Sequence, residues 1–278
     1  MAKKGRKRWS VAALQMTSTP DVARNLHDSR NAIRRAARRG ADLIALPENF
    51  AYLRKEGLPV PIREGLDGPI VTELRELAAG LNCYLLLGSF PERRKGRRRI
   101  SNTSILIDPA GAIAATYRKL HLFDIAIRGG VTLKESKTVE PGAEVVVADT
   151  PLGKLGMSIC YDLRFPELYR RQMQLGAQVL FVPAAFTAYT GPAHWLPLLR
   201  ARAIENQCWV VAPAQTGSHH ADRRSHGETV VIDPWGAVVA RRVSAPGAVT
   251  ATIDLTAIDR VRRGLPCADH VRHDLFDL

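Results

Sequence analysis

A layered α/β fold in a single domain is what this sequence predicts, on three observations. Short apolar, β-branched runs alternate with amphipathic segments of helical period, so strands and helices follow one another as βα units and meanders. The 278 residues suit one large domain or two small ones, and no linker, low-complexity stretch or short repeat divides them. Hydrophobic residues make up 46% of the chain, enough for a sizeable core, yet no apolar run approaches the ~18 residues of a bilayer span.

The chain opens with a basic stretch, Lys3 to Arg8, which reads as a flexible tail over residues 1–9 ahead of a domain over 10–278. MAKKGRKRW has the positive region of a signal peptide, but SVAALQMTSTPD turns polar too soon to be its apolar core, so no export is expected. Trp9 to Met16 reads as a first buried strand. Thr19-Pro20-Asp21 opens a helix from Asp21 to Arg39, apolar at Val22, Leu26, Ile33 and Ala37 and ended by Gly40. Asp42 to Leu46 is a second buried strand stopped by Pro47-Glu48, and strand–helix–strand implies parallel pairing. An irregular loop over 59–68 leads to a helix from Pro69 to Leu81 and a buried strand from Cys83 to Ser89.

A meander follows, Ser101 to Asp108 and Ala112 to Arg118 across Pro109-Ala110-Gly111, with Lys119 directly after it. Residues 120–142 read as a long loop, where binding groups are often held. Val145 to Asp149 and Lys154 to Ile159 form a hairpin across Pro151-Leu152-Gly153. The second half partly echoes the first: a helix over Asp162 to Leu175, a strand over Ala177 to Pro183, a helix over Pro192 to Asn206 and a strand over Cys208 to Ala212. Strands over Glu228 to Asp233 and Ala237 to Val243 flank the Pro234-Trp235-Gly236 turn. Val249 to Asp254 is the last strand, before a short helix and an irregular tail.

The net charge is +13, from clusters at Lys3 to Arg8, Arg34 to Arg39 and Arg93 to Arg99. These lie on a tail, on the polar face of a helix and in a hairpin loop. No helix-turn-helix, zinc-finger or RNA-binding signature accompanies them, and aromatic content is only 6%. Solvated charge, or attraction of an anionic substrate, is the better reading than nucleic-acid binding. The four cysteines, Cys83, Cys160, Cys208 and Cys267, are scattered with no CxxC pair and no metal spacing. Free thiols in a reducing cytoplasm are expected, with no metal and no cofactor.

The chemistry centres on KLGMSICYDLRFPELY, Lys154 to Tyr169. An apolar strand stops at Cys160 and turns into an amphipathic segment, with Asp162 placed as helix N-cap. A cysteine on such an elbow sits at the positive end of a helix dipole, which favours a thiolate and supplies N–H donors to an oxyanion. Alone, Cys160 reads more readily as a small buried hydrophobe than as a nucleophile. Glu48 after ADLIALP and Lys119 after IAATYR also end apolar strands, and each by itself reads as a solvated charge. Together the three supply a nucleophile, a carboxylate to carry its proton and a cation beside the oxyanion, a full set for acyl transfer.

LPENF around Glu48, YRKLHLFD around Lys119 and GMSICYDLRFPELYR around Cys160 resemble, in content and order, the Glu-Lys-Cys motifs of the nitrilase superfamily of carbon–nitrogen hydrolases. The resemblance runs from about Ser10 to the C-terminus. It implies a four-layer αββα sandwich, a covalent thioacyl-enzyme and homodimers or larger assemblies. FTAYTGPAHWLPLLRARAIENQCWVVAPAQTG and VVIDPWGAVVAR are similar to the Nit branch, amidases of deaminated glutathione and of α-ketoglutaramate. RARAIENQ and Gln215 to Gly217 lean toward the first substrate, ESKT toward the second.

Glu135, in LKESKTVEPG, matches that branch's second glutamate, which orients the substrate amide or the lysine. In this reading Glu48, Lys119, Cys160 and Glu135 are catalytic, the Tyr161 backbone N–H joins Lys119 at the oxyanion, and Arg164, Phe186 and Thr187 bind a small anionic amide. Arg164 reads equally as a salt-bridge partner of Glu167 or Asp162. His121 and His194 read as hydrogen-bonding scaffold, and His219-His220 as part of a polar loop. The chain departs from its relatives at Leu196, at Ala126 in FDIAIRGG and at His226-Gly227-Glu228, none of which touches the Glu-Lys-Cys set. The competing readings are another nitrilase-family enzyme, or a catalytically silent scaffold using its basic surface.

Overall fold

A computed structural model describes residues 6–55, 60–126, 132–220, 223–272 and 274–275. The first part of the basic tail, the start of the loop at 59 and the FDIAIRGG loop from residue 127 lie outside the described residues. The first half runs β1 (Arg8–Gln15), α1 (Val22–Arg38), β2 (Leu43–Ala45), α2 (Pro69–Leu81), β3 (Tyr84–Glu92), β4 (Ser101–Ile107) and β5 (Ile113–Arg118). A short hairpin, β6 (Asp124–Ala126) and β7 (Thr132–Lys134), and a 3₁₀ turn over Glu135–Lys137 lead on. The second half runs β8 (Val147–Thr150), β9 (Gly153–Met157), α3 (Pro166–Gln174), β10 (Val179–Phe181), α4 (Gly191–Asn206) and β11 (Trp209–Ala212). It ends with β12 (Thr216–His220), β13 (Arg223–His226), β14 (Thr229–Ile232), β15 (Val238–Arg242), β16 (Gly247–Asp254) and α5 (Thr256–Gly264).

Local chemistry sets the helix ends. The Asp21 side chain accepts the Arg24 N–H at 3.0 Å and starts α1. Pro69, which has no N–H to leave unpaired, opens α2, and Asn82 closes it in the left-handed region at φ 50°.

Two six-stranded sheets form, in the orders β16-β1-β2-β3-β4-β5 and β15-β14-β11-β10-β9-β8. In the first, β1, β2 and β3 are parallel, with antiparallel neighbours on either side. In the second, β9, β10 and β11 are parallel and flanked the same way. The echo between the halves is thus a repeated sheet pattern.

Alternation along the first sheet divides its side chains. Val11, Ala13, Leu43, Ala45, Leu86 and Leu106 share a core with Leu155, Met157, Leu180 and Val210 of the second sheet. Their neighbours Ala12, Leu14, Ile44, Leu85, Leu87 and Ile105 pack on Ile33 and Ala36 of α1 and on Val71 and Leu74 of α2. With Leu168 of α3 and Leu199 of α4 buried against the second sheet, the layers read α, β, β, α.

Four expectations are corrected. Arg8 pairs with Asp254, so the first strand begins one residue before its expected start at Trp9. The loop over 120–142 contains β6 and β7. His219 is not in a polar loop but on the hairpin of β12 and β13, buried, with Nδ1 2.7 Å from Ser18 O and Nε2 2.8 Å from Ser225 Oγ. TGSHH and RRSH are polar throughout, so no apolar alternation marks them. Finally, the helix expected from Asp162 begins at Pro166, because proline cannot donate to the preceding turn.

Candidate active site

Glu48, Lys119 and Cys160 each stand just past the C-terminal end of a strand: β2, β5 and β9 respectively. β5 is two antiparallel pairings from β3, so it runs the same way as β2, and both side chains reach the same edge of the first sheet. The second sheet brings Cys160 against them in a cavity of about 110 Å³.

Hydrogen bonds fix the cluster. Lys119 Nζ donates to Glu48 Oε1 at 3.1 Å and to Glu135 Oε2 at 3.0 Å. Glu48 Oε2 accepts the Ala185 N–H at 2.8 Å, and the Cys160 thiol donates to Glu48. Glu135 Oε2 also accepts the Phe123 N–H at 2.7 Å, which ties the 3₁₀ turn to the lysine. Behind the site, Gln215 Nε2 donates to the Glu48 carbonyl at 2.9 Å and to Ser18 Oγ at 2.7 Å. The Leu46–Pro47 backbone crosses β3 at Gly88, where a Cβ would lie 2.1 Å from Leu46 O, so only glycine admits the strand end that carries Glu48.

The elbow is strained and latched. Cys160 sits at φ 50°, unusual for a side chain other than glycine, and its N–H donates to Pro183 O at 2.9 Å. Asp162 is not the helix cap but a fully buried acceptor within the 3₁₀ turn Cys160–Arg164. Its Oδ2 accepts Tyr117 Oη–H at 2.7 Å and the Ile159 N–H at 2.8 Å. Its Oδ1 accepts the His121 N–H at 3.0 Å and Nδ1–H at 2.8 Å, the tautomer assigned because the carboxylate can only accept. His121 stacks on Phe165 at 3.6 Å. Asp162 thereby joins the end of β5, which carries Lys119, to the turn that carries Cys160.

Electrostatics overturn the expected thiolate. Burial and the neighbouring Glu48 charge push the Cys160 thiol well above the ordinary cysteine range, outweighing Lys119. The dipole of α3 begins only at Pro166, beyond the turn, and does not reverse this. Burial would raise the Glu48 carboxyl, but the Lys119 charge and the bonds from Cys160 and Ala185 hold it below the usual value. Burial would lower the Lys119 ammonium, but Glu135 and Glu48 raise it above the usual lysine range. The resting site therefore holds a neutral thiol bonded to an ionised carboxylate, beside a fixed cation. Such a group can pass its proton to the carboxylate as sulfur attacks a carbonyl.

The model of the family described as carbon-nitrogen hydrolase matches residues 10–263. The chain belongs to this family.

Among its relatives, deaminated glutathione amidase of Homo sapiens is 45% identical over 271 residues, 96% of this chain and 83% of that protein. Deaminated glutathione amidase of Synechocystis sp. is 45% identical over 267 residues, 95% of this chain and 98% of that one. The crystal structure of the Caenorhabditis elegans NitFhit protein superposes with a TM-score of 0.89 at 42% identity. It covers 98% of this chain, which spans 66% of that longer protein. As a carbon–nitrogen hydrolase the protein cleaves non-peptide C–N bonds. Among the described residues, no helix is long and apolar enough to cross a membrane.

The cavity of this carbon–nitrogen hydrolase brings together all eight residues singled out in the sequence: Glu48, Lys119, Glu135, Cys160, Tyr161, Arg164, Phe186 and Thr187. Arg164 makes neither expected salt bridge. Its Nη1 donates to His194 Nδ1 at 3.1 Å, and its guanidinium lies over the rings of Phe186 at 5.2 Å and Tyr161 at 5.9 Å. Sequence reasoning missed Asn102, whose Nδ2 donates to Glu48 at 3.0 Å and to Glu135 at 3.3 Å. A signal existed: Ser101, Asn102, Thr103 and Ser104 are polar residues in an unbroken row at the start of a fully buried strand. Gln215 was marked only as part of the Gln215 to Gly217 motif, with no role, and Arg223 carried no mark.

Proposed function

We propose that the protein is an amidase that hydrolyses deaminated glutathione through a thioacyl-enzyme, working in the cytoplasm. The observation that carries the reading is the buried contact of Cys160, Glu48 and Lys119 in one cavity. Relatives named for this substrate, 45% identical over nearly the whole chain, support its choice.

In the proposed cycle Cys160 Sγ attacks the amide carbonyl carbon while its proton passes to Glu48. Lys119 and the Tyr161 N–H hold the tetrahedral oxyanion, where one such donor is worth ~10²–10³ in rate. The C–N bond breaks as Glu48 returns the proton to the departing amine. Glu48 then takes a proton from water, whose oxygen attacks the thioester, and sulfur leaves with that proton. Glu135 holds the Lys119 ammonium together with Glu48. Arg164, Phe186 and Thr187 bind the anionic acyl part.

Homodimers belong to the same proposal. Trp235 and Ile204 are exposed apolar neighbours, joined where Arg200 Nε donates to Gly236 O at 3.0 Å, and they offer a surface for a second copy. Light scattering at micromolar protein decides this point.

The test of function is release of α-ketoglutarate from deaminated glutathione and from α-ketoglutaramate, with Cys160→Ala as control. Faster release from the first supports the reading, and faster release from the second makes the protein an ω-amidase. Full activity in Cys160→Ala would end the thioacyl account.

A further inference from the structure

The cavity has more cationic side chains than catalysis uses. Besides Lys119, the cavity is lined by Arg54, whose Nη1 donates to Thr138 Oγ1 at 2.5 Å, by the exposed Lys134, and by Arg164 and Arg223; among the described residues neither of the last two guanidiniums has a carboxylate partner. They come from separate parts of the fold. Arg164 closes the turn that begins at Cys160. Arg223 opens β13, on the hairpin whose other strand ends at His220, with His220 Nε2 3.3 Å from Arg54 O. Arg223 is half-buried and close enough to His219 to disfavour its protonation.

A half-buried guanidinium with no acid beside it among the described residues has lost water without gaining a partner there, a cost that an anionic ligand offsets by a two-pronged pair. The two arginines come from separate elements, the elbow turn and β13, so each can serve a carboxylate of its own. The acyl part stays bonded to Cys160 through both half-reactions, so its anchor belongs on the nucleophile's own turn, with Arg164. The amine part departs after the first, and its anchor belongs on another element.

Resting on the amidase reading above, we propose that Arg223 recognises a carboxylate on the departing amine part of the substrate. The enzyme thereby selects amides of amino acids or short peptides over primary amides and over amines lacking that charge.

The test compares deaminated glutathione with the same molecule carrying a C-terminal carboxamide, so that only the distal charge differs. The wild-type enzyme is expected to favour the acid by about 10–100-fold in kcat/KM, the range of a hydrogen bond to a charged group, mainly through KM. Arg223→Gln should bring that ratio close to one and Arg223→Lys should restore part of it. Raising the salt concentration should shrink the wild-type ratio. Arg164→Gln should slow both substrates and leave the ratio standing. A wild-type ratio near one, or an unchanged ratio in Arg223→Gln, overturns the assignment while leaving the amidase intact. Absence of cleavage of both molecules by the wild-type enzyme overturns the amidase reading together with it.

Discussion

Asp162→Asn tests how the elbow is held. The carboxylate accepts four donors within 3.0 Å, two on each oxygen, and is fully buried. An asparagine of the same shape keeps one oxygen and replaces the other with an NH₂ group. Whichever way it sits, one backbone N–H, of Ile159 or of His121, faces the new donor, and the Tyr117 hydroxyl or the His121 ring must turn from donor to acceptor. A buried donor left unsatisfied costs ~1–3 kcal/mol, so the substitution should cost about that much. That is a large share of the ~5–15 kcal/mol by which folded domains are stable. Urea unfolding followed by tryptophan fluorescence measures the loss, and kcat/KM on the amide substrate reads the elbow. Stability should fall by that amount, and kcat/KM should fall further than any unfolded fraction explains, because Cys160 loses its register with Lys119. A loss below about 1 kcal/mol with normal turnover would refute the latch.

Glu48→Gln should cost ~10²–10⁴ in acylation rate, since the amide cannot take the thiol proton; an unchanged acyl-enzyme burst in rapid-quench experiments would show another base at work. Gly88→Ala places a Cβ against the Leu46 and Pro47 carbonyls, 2.1 and 2.3 Å away, and should cost about 1–3 kcal/mol in urea unfolding and displace Glu48. Normal stability and turnover there would sink the close-approach argument. Burial holds the His219 imidazole down from 6.5 to about 4, so between these values the unfolded chain binds the extra proton. Stability should therefore fall as pH drops through that window, by at most about 3 kcal/mol. Urea midpoints at pH 7 and 5 should differ more in the wild type than in His219→Gln, and equal differences would assign the acid sensitivity elsewhere.

Much of the fold was legible because its causes are local. Pro69 and Asn82 bound α2 where the sequence predicts, and the apolar runs of β1, β2 and β9 each mark a strand. Glu48, Lys119 and Cys160 were legible for the same reason: each is the first polar reactive group after an apolar run, and a strand's end is the one place a buried sheet releases a side chain toward a cavity. β12 and β13 escaped notice because His219 is buried by Ser18, about two hundred residues away in the chain, and not by any apolar pattern of its own.

The sequence by itself determined where the apolar strands lie, the starts of α1 and α2 and the order of three reactive groups, since these follow from neighbours a few residues apart. Tertiary structure alone decided the proton on Cys160. A local dipole argument favours a thiolate there, whereas burial beside Glu48, contributed by a strand more than a hundred residues earlier, holds the thiol neutral. It also decided that Asp162 latches β5 to the elbow and that Asn102 spans both glutamates. Burial and charge act through space, and only the folded chain sets those distances.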